Sequence, residues 1–184
     1  MSFVIFIILI LMIAGIFFWK INRWLSLLLL APMLVLFGFA SYVLFNMWYE
    51  TTPESLNFSV QHEGSEYIIE NSWEKPLDVY RFPTDFVVFY VPNTSTVTNV
   101  KRERVKDYKE MAELEDSVKG WVEEKYPSNL TTQVFDIKAS KNGRFTFSLP
   151  QGIKEKEVEV YYVHLRSEPM DTIEYWIKEI EIKP

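Results

Sequence analysis

FVIFIILILMIAGIFFW, residues 3–19, and WLSLLLLAPMLVLFGFASYVLFNMWY, residues 24–49, lie back to back near the N-terminus with only KINR, residues 20–23, between them. Neither run contains a charged side chain. A hydrocarbon core of about 30 Å asks for roughly 20 helical residues at about 1.5 Å each, so the first run only just spans and the second has length to spare. The pair predicts a transmembrane helical hairpin over residues 1–49. Trp19, Trp24, Trp48 and Tyr49 mark the ends of the runs, where amphipathic rings favour the headgroup layer. A cleaved signal peptide fits poorly: Met1, Ser2 and Phe3 supply no basic start, and Phe17, Phe18 and Trp19 stand where small residues would precede a cleavage site.

Inside the second run, Pro32 predicts a local bend, since its ring and missing N–H disturb a helix. Gly15 beside Ala14, and Gly38 with Ala40 and Ser41, are residues small enough for close helix approach. Orientation rests on Lys20 and Arg23: the segment after the second run opens with Glu50 and Glu54 and has no Lys or Arg before Lys75. Positive loops stay inside, so loop 20–23 is expected in the cytoplasm and residues 50–184 outside it. The localisation expected is therefore a multi-pass cell-membrane protein with an extracytoplasmic domain.

The chain's formal charge is −6, and setting aside Lys20 and Arg23 leaves residues 50–184 at −8. A domain this acidic does not suggest nucleic-acid binding. With no cysteine there is no disulfide framework, no thiolate metal site and no Cys nucleophile. The domain must be held by its core, and its length suits one. Thr51, Thr52, Pro53 and Glu54 form a short connection that keeps the domain near the bilayer.

Residues 50–184 read mainly as strands: 56–60, 67–70, 77–82 and 86–91, separated by turns around Gly64, at 71–76 and at 83–85. One amphipathic helix is predicted over 105–126. Val105, Tyr108, Met111, Leu114, Val118, Trp121 and Val122 recur at three- and four-residue steps, and Pro127 ends the run. Its many acids, among them Glu110, Glu113, Glu123 and Glu124, argue against contact with anionic lipid. Strands resume at 131–138 and 144–149, with Asn142-Gly143 reading as the turn of a hairpin between them. The segments 157–166 and 172–183 form a closing pair around Ser167 to Asp171. About eight strands and one inserted helix predict an antiparallel β-sandwich, with a small β-barrel as the alternative closure.

NSWEKPLDVYRF (71–82) and RFTFSLPQGIKEKEVEVYYVHL (144–165) resemble the strand rhythm of immunoglobulin-like bacterial surface domains. The resemblance implies a fold pattern and carries no site residues.

His62 and His164 are the only histidines; they fall in different segments, and a metal site is not expected from them. Ser128 and Ser140 sit in turns without a nucleophile elbow, and Glu110 with Glu113 reads as a solvated helix face. Nothing points to a cofactor or to catalysis. Asn57, Asn93 and Asn129 each begin an Asn-x-Ser/Thr triplet, which matters only in a glycosylating host. The sharpest polar feature is Lys101, Arg102, Arg104, Lys106 and Lys109, a basic cluster in an acidic domain. It is a candidate patch for an anionic ligand, meaning headgroup phosphates or a wall polymer, or for an acidic surface on another envelope protein.

The expected role is a binding or accessory module held at the membrane. In a second arrangement the domain faces the cytosol as a β-barrel ligand sensor and the hairpin perturbs the membrane. That layout resembles the two-helix-plus-β-barrel effectors of bacterial nucleotide-signalling defence, which would make residues 101–109 the phosphate-binding candidate. An envelope enzyme is the third and weakest alternative.

Overall fold

A computed structural model describes residues 2–92, 95–106, 109–168 and 172–182. Of the residues singled out above, Met1, Asn93, Tyr108, Asp171 and Lys183 lie outside these. The chain forms two compact units, Met1–Tyr49 and Glu50–Pro184.

The first unit holds helices α1 (Ser2–Phe18) and α2 (Arg23–Trp48). Asn22 starts α2 by accepting hydrogen bonds from the backbone N–H of Trp24 and Leu25 at 3.0 and 3.2 Å, so two otherwise unpartnered donors at the helix start are satisfied. The helices pack side by side where Gly15 faces Leu30: a Cβ on Gly15 would lie 2.8 Å from the Leu30 side chain. The Ser26 hydroxyl donates to the Gly15 carbonyl across the same contact at 2.5 Å. Helix α2 continues through Pro32 as one element.

Among the described residues one helix is long and apolar enough, by length and composition, to cross a bilayer, over Arg23–Asn46. Helix α1 has 17 residues, about 26 Å at 1.5 Å each, short of a hydrocarbon core of about 30 Å. The expectation of two membrane spans is thus met on α2 alone. Apolar side chains cover α2 on its outside, with Leu28, Val35, Phe37 and Phe45 each at least 65% exposed, a surface suited to lipid and not to water. Trp24 and Trp48, at the two ends of α2, are more than 80% exposed, and Trp19 about half.

The second unit is built of two four-stranded antiparallel sheets in a sandwich-like arrangement. The first has the order β1-β2-β6-β4, from β1 (Leu56–Glu63), β2 (Glu66–Trp73), β6 (Asn142–Ser148) and β4 (Thr98–Arg102). The second has the order β5-β3-β7-β8, from β5 (Thr131–Lys138), β3 (Thr84–Val91), β7 (Glu159–Glu168) and β8 (Thr172–Glu179). Helix α3 (Met111–Lys125) covers the outer side of the second sheet.

Strand β3 explains the layering, because all eight of its residues are buried. Val87, Phe89 and Val91 meet the first sheet's Tyr67, Ile69, Phe145 and Phe147, while Phe86, Val88 and Tyr90 meet Leu114, Val118 and Val122 of α3. A strand covered on both faces loses the polar alternation of a half-exposed one, which is why it reads as an unbroken apolar run. The barrel alternative is not seen among the described residues: the strands fall into two separate four-stranded sheets, and at the β4–β5 side a backbone hydrogen bond runs from Lys138 N–H to the Glu103 carbonyl, at 2.9 Å.

Three segments depart from expectation. The segment 77–82 is no strand; it holds an isolated bridge between Arg81 and Arg166 and a fully buried Asp78. Residues 98–102, hidden in the sequence by their charges, form edge strand β4. Asn142-Gly143 is no hairpin turn, because β5 and β6 belong to different sheets. Gly143 instead lies opposite Asn71, where a Cβ would come within 2.3 Å of the Asn71 side-chain oxygen. The hairpin glycine is Gly64, which takes φ +65° between β1 and β2 as a two-residue turn requires.

Candidate functional site

Strand periodicity sends Ser59, Glu66, Ile68, Glu70, Arg144, Thr146 and Lys101 to the outer side of the first sheet, away from the core. There they line an open groove of about 980 Å³. Its charge is mixed: Glu63, Glu66, Glu70 and Glu103 face Lys101, Arg102 and Arg144. Lys101 Nζ bridges to Glu66 across the groove at 2.8 Å. Cross-strand register puts Arg144 opposite Glu70. The surface offers alternating donors and acceptors and no single field.

The basic cluster divides into two parts. Arg102 and Arg104 turn onto Asp136 of β5, whose side chain is completely buried. Arg102 donates from its terminal nitrogen to Oδ1 at 2.6 Å and from Nε to the Asp136 carbonyl at 2.6 Å, while Arg104 Nε donates to Oδ2 at 2.7 Å. Burial alone would raise the Asp136 carboxyl, but hydrogen bonds from Arg104 and Arg102 hold it below the usual carboxylate range. Glu115 on α3, raised first by burial and then by the charge of Asp136, also feels both guanidiniums. These arginines join the sheets at the β4–β5 side, and the Arg102 guanidinium lies 5.3 Å from the centre of the Phe135 ring. Lys106 and Lys109 are exposed before α3. The fold therefore does not present the five cations as one open patch.

A second polar constellation lies inside the sandwich, and sequence reasoning missed it. His164 on β7 is completely buried between Trp73 of β2 and Trp176 of β8, with ring centroids 5.2 and 4.9 Å away. Its Nδ1 is 2.8 Å from Asp85 Oδ1, and its Nε2 is 3.0 Å from Thr51 Oγ1 and 3.3 Å from Asp78 Oδ2. The Thr51 hydroxyl donates to Asp78 Oδ2 at 2.7 Å, and the Tyr162 hydroxyl donates to Asp85 Oδ2 at 2.6 Å. Both aspartates are completely buried.

These distances fit an imidazolium. With both ring nitrogens protonated, Nδ1–H meets Asp85 and Nε2–H meets the Thr51 oxygen, leaving the Thr51 proton for Asp78. Burial opposes the imidazolium, but the charge of Asp85 and hydrogen bonds to Asp78 and Asp85 outweigh it and carry the His164 pKa up to about 9. Asp78, pushed up by burial, is brought below its ordinary value by hydrogen bonds from His164 and Thr51. The Tyr162 hydroxyl is pushed well up by burial and by Asp85.

Thr51, His164 and Asp85 thus have the spacing of a hydroxyl–imidazole–carboxylate relay, with the Thr51 hydroxyl donating to Asp78. What the knot does is hold the chain at the entry to the domain. Trp176 Nε1 donates to the Thr51 carbonyl at 3.0 Å, Lys178 Nζ donates to the carbonyls of Pro53 and Leu56, and Arg166 pairs with Glu50 at 2.6 Å. In the sequence, Asp85 falls in the turn at 83–85 and His164 shares its segment with Arg166, so neither stands out locally. His62, the other histidine, is exposed and stacks on Tyr67 at 4.3 Å.

No protein-family model matches the chain, and the comparison with curated proteins gives no match.

Proposed function

We propose that the protein is a two-pass membrane protein whose β-sandwich is an extracytoplasmic protein-binding module, with the groove on the first sheet as its binding face. The groove is the observation that carries this reading: it is broad, open and lined by side chains of both signs. A mixed surface suits a protein partner of complementary mixed charge better than a polyanion such as a wall polymer or a lipid headgroup layer. With Arg102 and Arg104 committed to Asp136, the cluster's contribution to binding falls to Lys101 at the groove edge and to Lys106 and Lys109.

The two-pass anchor is supported by the absence of charge over residues 3–19, by the packing of α1 on α2 at Gly15 and Ser26, and by Lys20 and Arg23 at the connection. An immunoglobulin-like sandwich is supported by strand order. The orders β1-β2-β6-β4 and β8-β7-β3-β5 correspond in space to the A-B-E-D and G-F-C-C′ sheets of that fold. Chain order departs from it, since β4 precedes β5 and α3 lies between them. In binding, the anchor supplies proximity: a domain joined directly to the span meets membrane neighbours at high effective concentration, so modest affinity suffices.

The test places a photo-crosslinking residue at Glu70, in the groove, and at Lys119, on the far helix, in the full chain in its native membrane. Adducts with a second protein at position 70 and none at 119 are expected. Equal labelling at both positions, or none at 70, refutes the groove as the binding face.

A further inference from the structure

Sheet edges are where a β-sandwich is open to other chains, and this domain treats its four edges unequally. Strand β4 is five residues long, interrupted by a bulge between Thr98 and Lys101, and carries Lys101 and Arg102. Strand β5 is covered by the Lys138–Glu103 backbone bond, by Arg102 on the Asp136 carbonyl, and by Gln133, which binds both Ser95 and Val97. Along β8, Trp176 and Lys178 reach the carbonyls of Thr51, Pro53 and Leu56.

Strand β1 is capped only at its first residue, where Lys178 reaches the Leu56 carbonyl, and has none of these protections from Asn57 onward. It is eight residues long, pairs with β2 through an unbroken register, and contains no Pro, Lys or Arg. Among the described residues no strand and no backbone hydrogen bond reaches its other side between Asn57 and Glu63. Four of the last five residues, 59 and 61–63, are exposed.

We infer that β1 is an interface for a second copy of this chain, which adds its own β1 antiparallel across a two-fold axis at Val60. The sequence of the strand chooses both occupant and register. Antiparallel self-pairing keeps core-facing residues opposite core-facing ones only when the axis passes through a residue, and an axis at Val60 uses the whole open length. Asn57 then meets Glu63, Phe58 meets His62, Ser59 meets Gln61, and Val60 meets itself. On the outer side every pair joins an amide or hydroxyl to a carboxylate or amide; on the inner side an aromatic ring meets an imidazole and valine meets valine. No like charges are opposed anywhere along the pair, as cross-strand pairing requires. The two first sheets become one eight-stranded sheet with the two grooves on the same side.

The test uses the absence of cysteine. Val60→Cys in the full chain in membranes, treated with a mild oxidant, is expected to give a disulfide-linked dimer several-fold above that of Glu124→Cys on α3. The Cα separation of directly opposed antiparallel residues, about 4.5–5.5 Å, lies within disulfide reach. Adding Ser59→Lys with Gln61→Lys opposes like charges twice per dimer and is expected to lower association about tenfold, whereas Ser59→Lys with Gln61→Glu pairs opposite charges and restores the dimer. Both positions are exposed, so the domain tolerates either change. A Val60→Cys dimer no stronger than the Glu124→Cys control, one indifferent to both charge variants, or a β1 crosslink only to a protein of different mass overturns the inference.

Discussion

Raising the pH from 6.5 to 9 should remove about 3 kcal/mol of stability from the domain, and one side chain should account for most of it. The knot carries His164 from its ordinary 6.5 to about 9 in the folded chain. A group whose folded pKa is raised stabilises the fold fully below its unfolded value, and that contribution is lost as pH rises through the folded value. At about 1.36 kcal/mol per pH unit, a displacement of some 2.5 units corresponds to about 3 kcal/mol, lost progressively between pH 6.5 and 9. The acid side runs the other way: Asp78 and Asp136 are held below their ordinary value of 3.8, so their contribution is present above that value and falls as pH drops through their lowered ones. The assay is denaturant unfolding of the full chain in micelles at a series of pH values, followed by the near-ultraviolet circular dichroism to which Trp73 and Trp176 beside His164 contribute. His164→Gln should be less stable at pH 6.5 and nearly flat from 6.5 to 9. An equal slope in the wild-type chain and the variant would refute the charge assignment.

Two further outcomes follow from particular contacts. Arg102→Ala should cost about 3 kcal/mol because it removes a direct partner from a buried carboxylate, whereas Lys106→Ala should stay within about 0.5 kcal/mol, as denaturant midpoints will show. Loss of binding in an Arg102 variant therefore reports on folding before it reports on a ligand. Gly143→Ala should destabilise by about 1–3 kcal/mol, because its Cβ would come within 2.3 Å of the Asn71 oxygen, and Asn71→Ala in the same chain should relieve much of that cost.

Where one physical rule acted alone, the sequence was readable. The charge-free runs at 3–19 and 24–49 became helices, the apolar run at 86–91 became the doubly covered β3, and the apolar stripe of α3 packs as its three- and four-residue steps require. Where rules competed, it was not. Helix α3 is described from Met111, not from Val105: Lys106 and Lys109 would stand at the positive end of a longer helix, and the observed first turn carries Glu113 instead. Strand β4 was masked because its Lys and Arg are present for edge protection and for Asp136, needs that resemble a solvated loop when read locally. Asn142-Gly143 carries a strong turn signal, but a close approach to Asn71 also requires glycine, and only the register separates the two uses. The knot was the least legible part. Thr51, Asp78, Asp85 and His164 are up to 113 positions apart in the chain, and no local spacing announces that they meet.

The most direct test of the account is the topology of the chain in intact cells, read by an impermeant maleimide on single cysteines at Ser2, Ile21 and Lys141. Asn22 is unsuitable because it caps α2, while Ile21 is 68% exposed and free of that duty. The account predicts labelling of Ser2→Cys and Lys141→Cys in intact cells, and of Ile21→Cys only after permeabilisation. Labelling of Ile21→Cys with protection of Lys141→Cys would place the domain in the cytosol and contradict the central claim, and protection of Ser2→Cys together with Ile21→Cys would leave α2 as the single span.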